Sequence, residues 1–307
     1  MCRSGAEQLP YDRKVLARWV KAMYDAIKSM DPNHDVTLGF GHIAVANYGM
    51  DVRDMAEILD LMAVTAYPGF ADEAIDSCRN SYVVPFHVKM NTYGGKPVFT
   101  CEAPGHSSIA YSEERVGRYY KISLFSNLLS GSTGVMPWVF NDFERSIWGQ
   151  RPLDGYTIES GFGIVTVDGR LKPAGAELRD FARFVKENDM GRYRPRPRDM
   201  AIMIPEGYYE KVSHCAEKIY TSYLLAKGNG ADVDLLWSNA DFSAYTLLLI
   251  PATAQITTSV WNKIRQYVED GGCIYYVYDG PEGLNGYFNE LFGVRSKPRK
   301  KIMAMIR

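Results

Sequence analysis

Short apolar runs alternate with amphipathic helical stretches along most of this chain, and that alternation limits the fold more than any other feature. Arg13 to Met30 places Val15, Leu16, Trp19, Val20, Met23 and Ile27 at helical spacing, and Asp31-Pro32 stops the pattern. A strand is expected at Val36 to Phe40, a helix at Val52 to Leu59 and a strand at Leu61 to Tyr67. Ser81 to Tyr93 fits either type. Pro97 to Cys101 reads as a strand, Glu113 to Ser130 as a long helix, Val135 to Phe140 as a strand after a Gly-rich start, and Ala174 to Asn188 as a last helix. Short buried strands separated by helices imply a parallel sheet with βα crossovers.

A second region has its own rhythm. Between the two lies Gly191-Arg-Tyr-Arg-Pro-Arg-Pro-Arg198, whose alternating Arg and Pro predict an extended, solvated linker. Beyond it, strands are expected at Met200 to Ile204, Val233 to Trp237, Thr246 to Pro251 and Cys273 to Tyr278, with helices at Ala216 to Ala226 and Ser259 to Glu269. The pattern is that of a small three-layer α/β domain of flavodoxin-like or glutamine amidotransferase-like type. It carries no Gly-x-Gly-x-x-Gly loop and no phosphate loop. Cys273 begins a strand, whereas a catalytic elbow holds its nucleophile at a strand's end, so a buried structural thiol is the expectation there.

Composition narrows the class of partner. With 307 residues, 46% apolar and 13% aromatic, there is material for about two domains with real cores. The formal net charge of -1 gives no reason to expect nucleic acid or an acidic membrane as a partner. No apolar run approaches the roughly 20 residues of a membrane helix, and the N-terminus lacks a signal-peptide pattern. Five scattered cysteines show no paired metal spacing, so no metal or other cofactor is expected, and a reducing, cytoplasmic setting is the simpler inference.

The chemistry concentrates at two strand ends. Glu102 closes the run Lys96-Pro-Val-Phe-Thr-Cys-Glu102, and Trp138 closes Gly131-Ser-Thr-Gly-Val-Met-Pro-Trp138. A carboxylate at the C-terminal end of one strand and a Trp at the end of the next is an arrangement by which βα repeats build a sugar site, because barrel chemistry gathers at that rim.

These stretches resemble the second half of a clan A glycoside hydrolase barrel, as in family 5 mannanases and cellulases and family 42 β-galactosidases. The resemblance rests on Asp31-Pro-Asn-His-Asp-Val-Thr-Leu-Gly39 entering the fifth strand and Thr65-Ala-Tyr-Pro68 ending the sixth. Lys96 to Glu102 matches the seventh, Trp138 ends the eighth, and Gly161-Phe-Gly-Ile-Val-Thr-Val-Asp-Gly-Arg-Leu-Lys-Pro173 closes the region. The second region resembles the β-galactosidase trimerisation domain through Ala231 to Leu236, Thr246 to Pro251 and Tyr267 to Gly272. The fold class implied is α/β: a partial (β/α)8 TIM barrel over residues 1–190, a linker at 191–198, a trimerisation-like α/β domain over 199–295, and a basic tail at 296–307.

What the resemblance implies is retaining hydrolysis of β-glycosides, with Glu102 as nucleophile. Tyr67 would donate a hydrogen bond to it and Trp138 would stack on the sugar ring. His42 would line the rim, with Trp148, Tyr156 and Asp142 on the long loop after the eighth strand as weaker outer contacts. The partner implied is a carbohydrate, and the second region leaves room for a homo-oligomer. In the family the fourth strand ends in Asn-Glu, the Glu being the acid/base; no Asn-Glu precedes the first helix here, and Glu7 reads as a loop residue. The acid/base is therefore expected outside this chain, which would be inactive alone. Two other readings stand beside it: a non-catalytic sugar-binding or assembly protein derived from a glycosidase, and an amidotransferase-like enzyme working from the second region.

Overall fold

The computed structural model describes residues 13–41, 50–67, 75, 77–103, 105–144, 157–194, 196–252, 256–277 and 286–293. Among these, one compact unit runs to Pro197 and takes in Tyr223–Ala231; the other comprises Arg198–Ser222 and continues from Asp232.

The first unit opens with helix α1, Arg13–Met30. It ends where the Asp31 carboxylate accepts from the backbone N–H groups of Asn33 and His34, an Asx turn that competes with further helix. Helix α2, Val52–Ile58, starts on Asp51, whose side chain accepts from Arg53 N. Salt bridges Arg13–Asp51 at 3.3 Å and Lys14–Asp54 at 3.2 Å run between the two helices. The opposite face of α1 stays open: Val15, Trp19, Met23, Ile27 and Met30 are all exposed.

Three parallel strands follow in the order β1 (Gly39–Gly41), β2 (Met62–Thr65) and β3 (Val98–Glu102). All four residues of β2 are buried, as a central parallel strand requires. β1 is shorter and later than the expected Val36 to Phe40. Val36 N–H donates to the Asp60 side chain at 2.8 Å and the Thr37 hydroxyl to Leu61 O at 2.8 Å, so these two residues spend groups on bonds outside the ladder. The ambiguous stretch resolves as helices α3 (Cys78–Ser81) and α4 (Val83–Met90). Helix α5, Glu113–Leu129, is capped by Ser112 and carries Glu113 and Glu114 in its first turn, where the helix dipole favours anions. Helix α6, Pro173–Glu187, has Pro at its first position, where no N–H is needed. Val116, Tyr119 and Tyr120 from α5 meet Ile164 and Ala174 in one buried cluster.

The strand expected at Val135 to Phe140 is reduced to a single parallel bridge, Thr100 to Val135. Met136 still donates to Thr100 O at 2.8 Å and accepts from Ala103 N at 3.2 Å, but Pro137 has no N–H to offer a ladder. The Trp138–Val139 peptide bond is cis. Past it the chain changes partner: Ile164 N donates to Val139 O at 3.0 Å, Val165 N to Phe140 O at 2.9 Å and Asp142 N to Val165 O at 2.9 Å.

The second unit is built on four parallel strands, β4 (Met200–Ile204), β5 (Val233–Trp237), β6 (Leu247–Ile250) and β7 (Cys273–Tyr276), in the order β5-β4-β6-β7. Helix α7 spans Val212–Gly228, a turn longer at its start than expected. Helix α8, Thr258–Glu269, buries Val260, Trp261, Ile264 and Tyr267 against Ala201, Met203, Leu248 and Ile250. A short helix α9, Gly286–Phe292, ends the described residues. Two expectations are corrected. Arg198 is not solvated: its guanidinium is buried beside the Asp232 carboxylate. Cys273 does open a strand, but at an exposed edge position, because β7 ends the sheet. Among the described residues no helix is long and apolar enough to cross a membrane.

Candidate active site

The C-terminal ends of β2 and β3 do not run in simple register. Val64 pairs with Thr100, but Thr65 pairs with Glu102, so β3 holds one extra residue at its end. Such a bulge re-aims the side chain next to it. The consequence is a meeting of Glu102 with Tyr67: the Tyr67 hydroxyl donates to Glu102 Oε2 at 3.1 Å, and Ala66 N donates to Glu102 O at 3.0 Å. Behind them the Cys101 sulfur sits 3.6 Å from the Thr65 hydroxyl.

Tyr67 is wedged in place. Its ring stacks on Phe162 with centroids 6.3 Å apart. On another side Gly105 passes so close that an added Cβ would lie 2.5 Å from a Tyr67 ring carbon and 3.4 Å from the Trp138 carbonyl oxygen. Burial first, then the Glu102 charge and the hydrogen bond to it, push the phenol's pKa far up. Tyr67 is thus a fixed donor, and Glu102 its acceptor.

Trp138 reaches the same rim through backbone, two residues after Met136 accepts from Ala103 N. Its side chain is half-buried. A second carboxyl group also comes here: Glu159, on a one-turn 3-10 helix, Thr157–Gly161. Its pKa is raised by burial and then by the negative charge of Glu102, and Glu159 in turn contributes to the raised pKa of Tyr67. Two carboxyl groups and a phenol therefore share one field.

Under this rim lies a buried cation. Lys172, 3% exposed, donates from Nζ to Asp142 Oδ1 at 2.6 Å, to Ser108 Oγ at 3.0 Å and to Gly161 O at 3.2 Å. The neighbouring His106 is also 3% exposed, edge-on to Tyr111 and Tyr119. Its Nε2 has no hydrogen-bond partner among the described residues, and burial lowers its pKa to about 4.

Of the residues singled out from sequence, Glu102 and Tyr67 are in direct contact, and the Trp138 backbone lies at the same rim, its carbonyl beside Gly105. His42, Trp148, Tyr156 and Glu7 lie outside the described residues. Asp142 accepts through Oδ1 from Lys172 Nζ at 2.6 Å and from Gly163 N at 2.9 Å, which ties one of its oxygens into the scaffold. Glu159, Lys172 and His106 were not foreseen. The signal available was their place, beside or inside the motifs at Glu102 and Gly161 to Pro173.

Parallel βα units make this an α/β protein, and its fold is similar to that of solved structures whose names are those of glycosidases. An exo-β-1,4-mannosidase, Op5Man5 from Opitutaceae bacterium strain TAV5, superposes with a TM-score of 0.80 at 18% identity, over 93% of this chain and 54% of its own. A β-galactosidase from the psychrophilic Marinomonas ef1 superposes with a TM-score of 0.67 at 16% identity, over 91% of this chain and 46% of its own. A GH5_18 protein from Streptomyces cattleya, in complex with GlcNAc, gives a TM-score of 0.66 at 18% identity, over 80% of this chain and 63% of its own. The chain thus spans between about half and under two thirds of the length of these structures. Comparison of the sequence with protein-family models and with curated proteins returns no match.

Proposed function

We propose that this chain carries the nucleophile side of a retaining glycoside hydrolase site, acting on β-galactosides or related β-glycosides. The observation that carries the reading is the Tyr67 hydroxyl donating to Glu102 at 3.1 Å on the C-terminal rim of a parallel sheet. A nucleophilic carboxylate must be ionised and aimed, and a permanently protonated phenol does both. A Glu102 oxygen attacks the anomeric carbon, the bond from that carbon to the leaving oxygen breaks, and water later releases the sugar from the ester. Trp138 offers a flat apolar face to the sugar's C–H groups, and Glu159, whose pKa is raised by burial and by the Glu102 charge, is in this reading a hydrogen-bonding group for sugar hydroxyls.

Retaining hydrolysis also needs an acid/base carboxyl about 5 to 5.5 Å from the nucleophile. In this reading that group belongs to the preceding part of a full barrel, and the chain alone turns over unactivated substrates poorly. The first unit is taken as the C-terminal half of the barrel, and 199–295 as a flavodoxin-like domain similar to a trimerisation domain. Its β5-β4-β6-β7 order corresponds to the flavodoxin-like order 2-1-3-4. An amidotransferase role there is disfavoured. The loop after β4, where such sheets bind ligands, buries Tyr208 and Tyr209 against Trp237, and no described cysteine sits at a strand-to-helix elbow.

The test uses a leaving group that needs no acid. Incubation with dinitrophenyl 2-deoxy-2-fluoro-glycosides of galactose, mannose and glucose is expected to release one equivalent of dinitrophenolate and leave the sugar esterified to Glu102, read by peptide mapping. Binding of sugar with no label on any carboxylate would favour the non-catalytic reading, and a label elsewhere would refute the assignment of Glu102.

A further inference from the structure

Lys172 stands immediately before α6, and its side chain turns inward to a place with 3% exposure. An ammonium so buried costs several kcal/mol unless it is paired and each of its three N–H groups finds an acceptor. Here all three do, and each acceptor belongs to a different segment of the rim. Asp142 lies on the run after Trp138, Ser108 on the loop after Glu102, and Gly161 O ends the 3-10 turn that bears Glu159. The segments also lock to one another. Ser108 donates to Gly161 O from its N–H and its hydroxyl, both at 3.1 Å, and Asp142 Oδ1 accepts from Gly163 N at 2.9 Å.

The glycines in this knot show how tightly it is drawn. A Cβ on Gly161 would lie 2.7 Å from the Ser107 hydroxyl, and one on Gly163 would lie 2.1 Å from the Asp142 backbone nitrogen. A buried ion pair is weak evidence for stability, since apolar groups of the same volume often serve as well. What an apolar side chain could not do is hold three separate loops at fixed hydrogen-bond distances. From the knot, Glu159 is two residues from Gly161, and Phe162, the next residue along, stacks on Tyr67.

We propose that Lys172 is a positioning residue: with Asp142 it sets where Glu159 and the run after Trp138 stand relative to Glu102, without itself touching substrate. Its bearing on catalysis rests on the glycosidase reading; the positioning is measured without turnover.

The experiment follows Glu159 by carboxyl NMR in the full chain labelled with 13C-glutamate, the resonance assigned with Glu159→Gln. Glu159 is expected to titrate above the ordinary carboxylate range in the wild-type chain. In Lys172→Met its midpoint falls into that range as the turn moves into water, and hydrogen exchange rises at 157–163 and 105–109 while β2 keeps its protection. Asp142→Asn retains an oxygen that can accept from Lys172 and Gly163, and is expected to keep the wild-type midpoint. A folded Lys172→Met with the Glu159 midpoint unmoved would show that the pair is merely structural, and a midpoint that falls equally in Asp142→Asn would show that charge rather than geometry governs; either overturns the proposal. Should Lys172→Met not fold, Ser108→Ala removes one anchor and is read the same way: a smaller downward shift is expected, and none refutes it. Failure of Glu102 to take a glycosyl label leaves this result untouched, so the two readings fail separately.

Discussion

Tyr67→Phe removes the hydroxyl that donates to Glu102 and leaves the ring stacked on Phe162. A hydrogen bond to a charged group contributes about 1.5 to 3 kcal/mol. Glycosylation of Glu102 by an activated fluoro-sugar should therefore slow by roughly 10- to 100-fold, with the melting temperature little changed; labelling at the wild-type rate would remove Tyr67 from the site. His106 supplies a pH test. Its pKa is lowered by burial to about 4, whereas in the unfolded chain it lies near the ordinary 6.5. Between those values the unfolded state binds the extra proton, so stability is full above pH 6.5 and declines as pH falls toward 4, by about 3 kcal/mol in all. Urea unfolding at pH 7 and pH 5 measures this, and His106→Phe, which keeps a ring between Tyr111 and Tyr119, should remove the part of the slope due to this residue. Glu102 and Tyr67 were legible in sequence because each ends an apolar run at a rim where function gathers. Lys172, Glu159 and His106 were not, because what distinguishes them is their surroundings in the fold, as the Lys172 bonds to partners 11 and 64 residues away illustrate.

At the scale of elements, a local signal places an element's interior better than its ends. The expected Arg13 to Met30 and the observed α1 coincide, as do β4 and β5 with their expected bounds, while α5 differs by one residue at its end, α6 by one residue at each end, and α7 starts a turn early. Strand ends depend on partners, and there the reading slipped. β1 starts at Gly39, with the Val36 N–H taken by the Asp60 side chain, and the Val135 run left β3 at Pro137 for the segment around Ile164, a pairing no periodicity announces. Helix–helix packing is similarly hidden, and Gly117 tests it. In an isolated helix Gly→Ala gains about 1 kcal/mol, but on α5 the new Cβ would sit 2.8 Å from Pro173 Cβ and 3.2 Å from its carbonyl carbon. Pro173 opens α6 and cannot rotate away, and overpacking of this kind costs about 1 to 3 kcal/mol. The clash wins, so Gly117→Ala should lower the midpoint of urea unfolding; a rise would mean that α5 and α6 can separate without cost.

For the molecule as a whole, the described residues of the first unit expose apolar surface. Among the described residues β1 is an edge of its sheet, Met136 and Phe140 are 57% and 63% exposed, and α1 bears Val15, Trp19, Met23, Ile27 and Met30 as an exposed apolar stripe at helical spacing. Parallel sheets are stable when covered on both faces and closed or protected at their edges. Apolar surface of this extent drives association wherever it finds a complement. The similar solved structures extend well beyond the part that this chain matches, so their fold has more chain with which to cover such faces. The chain on its own is therefore expected to self-associate, with a light-scattering mass above that of one chain and rising with concentration. Trp19→Glu with Ile27→Glu places two charges on the stripe at positions 53% and 44% exposed, where the helix interior is untouched. This pair should lower the associated fraction while leaving the far-ultraviolet circular dichroism unchanged. A wild-type chain that stays a monodisperse, well-protected monomer at tens of micromolar would show that these faces are stable in water and that the first unit is complete as a domain.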